Sequence, residues 1–269
     1  MIPVGDSPRT RRTPLVNYAI ILANVAVFIW MLTLDTTFLG TPRQQAGAVA
    51  AQADSVCYTF QTTPTEIDHF YCRWSLQPRE FFDAVRGDAA PVTNPQPRWE
   101  ILLTIITAMF LHGGWLHIAG NMLFLWVFGD NIEDRLGHLG YLLFYLAAGI
   151  AASLVQGVLD ASSLVPVLGA SGAVAGVLGA YIVWFPKATV SVVIPFFVLI
   201  FIPIPVPAVV MIGLWFLQNL LAGFATLGDA AAPDQGVAWF AHIGGFLFGM
   251  LSVLLFLRRA GRRPPRWRD

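Results

Sequence analysis

Four side chains able to take part in acyl transfer sit in otherwise apolar stretches of the chain: Ser171, His242, His117 and Asn121. Ser171 lies within LGASGAVAG, residues 168–176, where every neighbour is small, so another chain segment can come close to its hydroxyl. A serine hydroxyl is a weak nucleophile and needs a base within about 2.6–3.2 Å. His242, in AHIGGFLFG, is the candidate base. His117 and Asn121 are two further polar side chains in apolar surroundings. Other chemistries fit poorly. His112 and His117 are five positions apart without the Glu of a zinc-protease helix. Lys187 is the only lysine and falls at the end of an apolar stretch, which disfavours a Ser–Lys pair. Every Asp and Glu falls in a loop or at the end of an apolar stretch. A carboxylate pair at membrane depth, or transport coupled to protons or cations, would want a buried acid.

The elements that must position these groups are membrane helices. The 269 residues are 56% hydrophobic and only 12% charged, against roughly a quarter charged in soluble domains. A span needs roughly 20 mostly apolar residues, and six candidates occur, at 14–34, 115–128, 139–159, 168–185, 206–225 and 238–257. The chain thus reads as an all-α polytopic membrane protein of six transmembrane helices with a long outward-facing first loop. A further apolar run, 101–111, precedes the second span, and Gly113-Gly114 is expected to break the two apart. The run 190–205 is apolar but carries Pro195, Pro203 and Pro205. It is expected to be an embedded or interfacial connection rather than a seventh helix.

Arginines set the direction. Arg9, Arg11 and Arg12 precede the first span, Arg135 follows the second, and six arginines follow the last. The positive-inside rule places both termini in the cytoplasm of a multi-pass cell-membrane protein. The first span lacks a small-residue cleavage site and is expected to be retained. The chain divides into a cytoplasmic arm (1–13), the first span (14–34), an outer insertion (35–100), a membrane core (101–257) and an Arg-rich cytoplasmic tail (258–269). The tail anchors the topology; no basic patch interleaved with aromatics suggests nucleic acid. Cys57 and Cys72 both lie in the insertion, where an oxidising compartment would let them pair. Two free thiols, or zinc held by Cys57, His69 and Cys72, are the other readings.

In this topology the second, fourth and sixth spans all run inward from the outer face. Ser171, His242, His117 and Asn121 then lie within about 10 Å of the outer end. His117 and Asn121 are four apart and share a helix face. Singly, each has an ordinary explanation: a serine bonding its own backbone, or an asparagine joining helices, as expected for Asn24 and Asn219. Convergence at one depth favours a shared site. Gly169, Gly172, Gly176 and Ala180 on the fourth span, with Ala241, Gly245 and Gly249 on the sixth, form small-residue faces along which backbones can approach closely.

HGGWLHIAGNM at 112–122, IEDRLG at 132–137, GASG at 169–172 and AHIGGFLFG at 241–249 together resemble the rhomboid family of intramembrane serine proteases. The resemblance covers about 99–257. It implies Ser171 as nucleophile, His242 as base, and His117 and Asn121 as oxyanion donors, with Gly169 and Gly172 flanking the nucleophile. Gly176, Gly245 and Gly249 would pack the helices. Glu133 and Arg135 match the family's cytoplasmic clamp. It further implies transmembrane protein substrates cut near the outer face, with no cofactor and no metal; the sequence does not name the oligomeric state. Two features depart from the family. Ala175 stands where many members have a tyrosine packed on the histidine, and a Trp-Arg pair of the outer loop reads Arg73-Trp74 and Arg98-Trp99 here. The alternative is a catalytically inactive relative that binds membrane clients; its usual sign, a missing serine or histidine, does not occur here.

Overall fold

A computed structural model describes residues 1–8, 10–34, 66–88, 96–163, 165–193, 203–227 and 237–259. Ten α-helices occur among them. α1 (Leu15–Met31) is followed, within the expected insertion 35–100, by α2 (Glu66–Trp74) and α3 (Pro78–Arg86). α4 (Arg98–Thr107) ends in a 3-10 turn. α5 (Trp115–Phe124) continues through a π-helical turn (Leu125–Gly129) into α6 (Asp130–Leu136). α7 (His138–Leu159), α8 (Ser171–Trp184), α9 (Ala208–Leu227) and α10 (Trp239–Arg259) complete the set. By length and composition, α7, α9 and α10 can cross a membrane. The pair made of α4 with its turn and α5–α6 would make a fourth span, bent by 78° at the expected Gly113-Gly114 break. α1 and α8 are shorter apolar helices of 17 and 14 residues.

α8 is short because it is wrapped in protein, and residues 168–170 approach it in non-helical backbone. Gly172 through Tyr181 are all buried. A helix apolar on every side needs neighbours on every side, and α5 to α7, α9 and α10 surround it. The contact with α10 is backbone on backbone. A Cβ added at Gly245 would fall on the carbonyl oxygen of Gly172, one at Gly249 on that of Gly176, and one at Gly179 on that of Phe246. Gly172 and Gly176 themselves lie against Ala152 and Ala148 of α7, where an added Cβ would approach to 2.6 and 2.5 Å.

The all-α expectation needs correcting. β1 (Ile2–Asp6), β2 (Thr189–Val193) and β3 (Ile204–Pro207) form an antiparallel sheet in the order β1-β2-β3. The expected N-terminal arm is therefore an edge strand, and part of the expected 190–205 connection is sheet. Proline cannot donate to a ladder and is confined to edges. Pro3, Pro205 and Pro207 all lie in the outer strands, while the central TVSVV has none. Asp6 anchors β1 to the helices, accepting hydrogen bonds from the Tyr181 hydroxyl (2.6 Å) and Asn131 Nδ2 (2.9 Å).

Glu133 holds α1. Its carboxylate accepts the backbone N–H groups of Val16 (3.0 Å) and Asn17 (2.7 Å), two donors left free at the helix start. Asn17 Nδ2 donates to the Leu125 carbonyl in the π-turn (2.9 Å), and the Tyr141 hydroxyl donates to Asn17 Oδ1 (2.8 Å). Arg135 takes no part in this clamp; its guanidinium lies 5.0 Å from the centre of the Phe185 ring.

α2 and α3 pack on α4. Cys72 is buried and disulfide-bonded, which removes it as a zinc thiolate; Cys57 and the His69 side chain lie outside the described residues. No cluster able to hold a metal occurs among the described residues.

Candidate active site

The segment leading to Ser171 is held from two sides. Leu76, between α2 and α3, exchanges backbone hydrogen bonds with Val167 (3.1 and 2.7 Å). The Gly169 N–H donates to the Ala108 carbonyl (2.8 Å). Gly169 has φ +119°, a conformation that a side chain resists. Space forbids a side chain as well, since a Cβ there would lie 2.7 Å from His117 Nε2. The same point is 3.7 Å from Ser171 Oγ, so the His117 ring edge and the hydroxyl converge on Gly169. Ser171 is the first residue of α8, and its hydroxyl stands at the end of that helix where backbone N–H groups lack helical partners.

His242 sits one turn into α10, and its Nε2 is 2.8 Å from Ser171 Oγ. The close α8–α10 packing set by Gly172, Gly176, Gly245 and Gly249 brings the two side chains within hydrogen-bond reach. On the far side of the ring, Nδ1 is 2.6 Å from Asn219 Oδ1 on α9. Trp215, one turn earlier on α9, packs at 5.8 Å between ring centres, and Trp239 meets the ring edge-on at 6.1 Å. Ala175 supplies no ring; α9 supplies one instead.

His117 and Asn121 occupy one face of α5. Nδ1 of His117 accepts a long hydrogen bond from the Gly113 N–H (3.4 Å). A neutral imidazole that accepts at one nitrogen donates at the other, so Nε2–H points toward Gly169. Asn121 is 7% exposed, and its Nδ2 has no hydrogen-bond partner among the described residues. A buried amide donor left unpaired is costly and asks for an acceptor that arrives with a ligand. His112 is fully buried beside His117, ring centres 5.0 Å apart.

Ser171, His242, His117, Asn121, Trp215 and Phe124 all line one cavity, of about 790 Å³, within the range of ligand clefts. Trp115 and Leu116, at the start of α5, are exposed at its rim. Trp215 from α9 and Phe124 from α5 face each other at 6.4 Å across it.

The sequence reading missed Asn219 and Trp215 as neighbours of His242. Asn219 was expected to join helices, and it does join α9 to α10, but through the histidine itself. Four-residue spacing puts Trp215 and Asn219 on one face of α9, which was the available signal.

The structure brings together the residues that the motifs single out, and comparison with known proteins agrees on their setting. Residues 99–259, more than half of the chain, match the Rhomboid domain. The chain is similar to mitochondrial Rhomboid protein 1 of Saccharomyces cerevisiae, 33% identical over 154 residues, which are 55% of this chain and 40% of the yeast protein. It is similar to chloroplastic Rhomboid-like protein 11 of Arabidopsis thaliana, 40% identical over 80 residues, covering 30% of this chain and 27% of that one. It is also similar to Rhomboid-like protease 5 of Toxoplasma gondii, 30% identical over 172 residues, covering 62% of this chain and 18% of that one. The chain therefore spans less than half the length of these relatives, and across the domain they share it belongs to the rhomboid family.

Proposed function

We propose that this protein is an intramembrane serine endopeptidase that cleaves transmembrane protein substrates near the outer face of the membrane. The observation that carries the reading is the 2.8 Å approach of His242 Nε2 to Ser171 Oγ inside an open cavity. In this mechanism Nε2 takes the hydroxyl proton as Oγ attacks the substrate carbonyl. His242 then passes that proton to the leaving amine, which frees the acyl-enzyme. Water, activated by the same nitrogen, hydrolyses the ester. The oxyanion of each tetrahedral intermediate meets Asn121 Nδ2–H, His117 Nε2–H and the Ser171 backbone N–H. All three are neutral donors, so the chemistry needs no permanently charged side chain and no metal or cofactor; the His242 imidazolium and the oxyanion form together and are discharged together.

The accompanying topology is six spans in a cell membrane. α1 and α8, shorter than a bilayer core, are counted because protein covers α8 and bilayers thin around short helices. Both termini lie in the cytoplasm, and Arg11, Arg12 and Lys187 share that side with the sheet. The insertion around α2 and α3 is outside, and the core 101–257 carries the chemistry.

A serine-reactive fluorophosphonate tests the reading. The wild-type protein in detergent should be labelled at Ser171 and should cleave a single-span reporter. Ser171→Ala and His242→Ala should fold, resist the probe and lose cleavage. A folded wild type that neither labels nor cleaves would refute the protease and favour a client-binding relative; substantial turnover by either variant would refute the Ser171–His242 assignment.

A further inference from the structure

We infer that Asn219 is the positioning residue for the base: it fixes the His242 tautomer from α9, so the base is competent only while α9 is seated. The inference rests on the serine-protease reading above.

The polarity of the chain of contacts is forced from its far end. Asn219 Nδ2 is 2.7 Å from the Trp215 backbone carbonyl, one turn back in the same helix. A carbonyl can only accept, so the amide must turn its NH₂ group toward it. That leaves Oδ1, which can only accept, facing His242 Nδ1 at 2.6 Å. Nδ1 must then carry the proton. A neutral imidazole has one donor and one acceptor nitrogen, so Nε2 is left with its lone pair, 2.8 Å from Ser171 Oγ. That is the orientation in which imidazole can accept the serine proton. Flipping the amide would set two acceptors against each other at the Trp215 carbonyl.

Trp215 and Trp239 confine the ring plane but cannot choose the tautomer, because neither ring carries an acceptor. Asn219 is 3% exposed, so water does not substitute freely for its carbonyl. The arrangement resembles the base–orienter pair of serine hydrolases in role. Here, however, the orienter is neutral, which suits a site without membrane acids. The orienter also comes from a different helix than either reacting residue. α8 and α10 are locked by backbone contact, whereas α9 reaches them through side chains. A shift of α9 by an ångström or so would leave the Ser171–His242 distance intact and still remove the acceptor that favours the proton on Nδ1 over Nε2.

The test uses the full chain in detergent micelles, labelled with ¹⁵N-histidine, with the His242 signals assigned by loss in His242→Gln. The wild type should show its proton on Nδ1. Asn219→Leu, close in volume but without an acceptor, should lose that signature. Its kcat on a single-span reporter should fall about 10- to 100-fold, the range expected when one buried partner is left unpaired, with KM changed by less than about twofold. Asn219→Asp keeps an acceptor and should restore the Nδ1 signature and most of kcat. A leucine variant with the wild-type signature and kcat would overturn the inference. So would an aspartate variant no better than leucine, since a purely structural role predicts equal loss. If the leucine variant does not fold, the wild-type spectrum still decides, because a proton found on Nε2 refutes the assignment. If fluorophosphonate fails to label wild-type Ser171, the protease reading falls on its own. The ¹⁵N signature then still tells whether Asn219 orients His242.

Discussion

Adding one methyl group at Gly245 should disable the site without unfolding the protein. The Cβ of Gly245→Ala would fall on the carbonyl oxygen of Gly172, a backbone atom with no rotamer to escape into. Relief requires α10 and α8 to part by about 1 Å, because nonbonded atoms at closer range meet a steep repulsive wall. Gly172 follows Ser171 directly and Gly245 lies one turn below His242, so the separation reaches the reacting atoms almost undiminished. The Nε2–Oγ distance of 2.8 Å would open to about 3.8 Å, beyond the 2.6–3.2 Å reach of a productive pair. A misplacement of that size costs about 10²-fold in rate, while overpacking costs about 1–3 kcal/mol of stability. The matched control is Gly213→Ala on α9, where a Cβ meets nothing within 4 Å. It should be neutral or slightly stabilising, since alanine favours helix by up to about 1 kcal/mol. Both variants would be assayed for reporter cleavage and fluorophosphonate labelling well below their melting temperatures. A folded Gly245→Ala protein with wild-type rates would refute the claim that backbone contact between α8 and α10 sets the catalytic distance.

Asn121→Ala and His117→Ala should each slow cleavage about 10²–10³-fold, the worth of one oxyanion donor; full kcat in both would remove that role. Glu133→Ala leaves the Val16 and Asn17 N–H groups unpaired and should lower stability by about 2–4 kcal/mol, read as a drop in melting temperature with cleavage unaffected at low temperature. Burial pushes the Asp6 carboxyl from 3.8 up to about 7 against the opposing Tyr181 hydrogen bond, and Asp130 nearby adds to the rise. The docked strand thus holds its proton more tightly than the free arm. Docking is strongest below pH 3.8 and weakens until Asp6 has ionised above pH 7. Amide exchange across Ile2–Asp6, corrected for intrinsic rate, should therefore speed up between pH 5 and 8, and Asp6→Asn should flatten that dependence. Phe216 stacks on Phe246 at 4.3 Å between α9 and α10 and does not touch the base. Phe216→Ala should raise cleavage of a transmembrane reporter with little effect on a short soluble peptide, and an equal change for both would mean plain packing. Trp215 cannot serve for that test, because its ring lies on His242.

Much of the site is legible in the sequence because membrane depth follows from counting residues. Small-residue faces, too, announce where backbones meet. Ser171, His242, His117 and Asn121 could be placed in one layer on those grounds. Gly179, one position before Ala180, is also pressed against α10. The sheet was not legible. β1 pairs with a strand nearly 190 residues away, and nothing local to a five-residue segment with a proline and a glycine announces that partner. Asn219 was visible only as one polar residue in an apolar helix, which most often means packing. Its meaning depends on the rotation of α9 about its axis, and that rotation is set by β3, which runs straight into α9.

Access and chemistry meet at that last element. On the proposed reading, the nucleophile and base sit on two helices that glycines hold in backbone contact. The chain builds the neighbours of the base, Asn219 and Trp215, on a third helix held by rings and by a short sheet. Trp215 touches both the base and, across the cavity, Phe124 of α5. In the proposed mechanism, a substrate helix arriving between α5 and α9 would displace that ring contact before its backbone reached Ser171. Displacement loosens the Asn219 hold on His242, and return of α9 restores it. On this account the proton acceptor is prepared in the substrate-free protein, would be loosened as a substrate enters, and would be prepared again once α9 returns. That ordering makes the departure at Ala175 intelligible. A tyrosine carried by α8 would hold His242 at all times, whereas a tryptophan carried by α9 holds it only while α9 is seated.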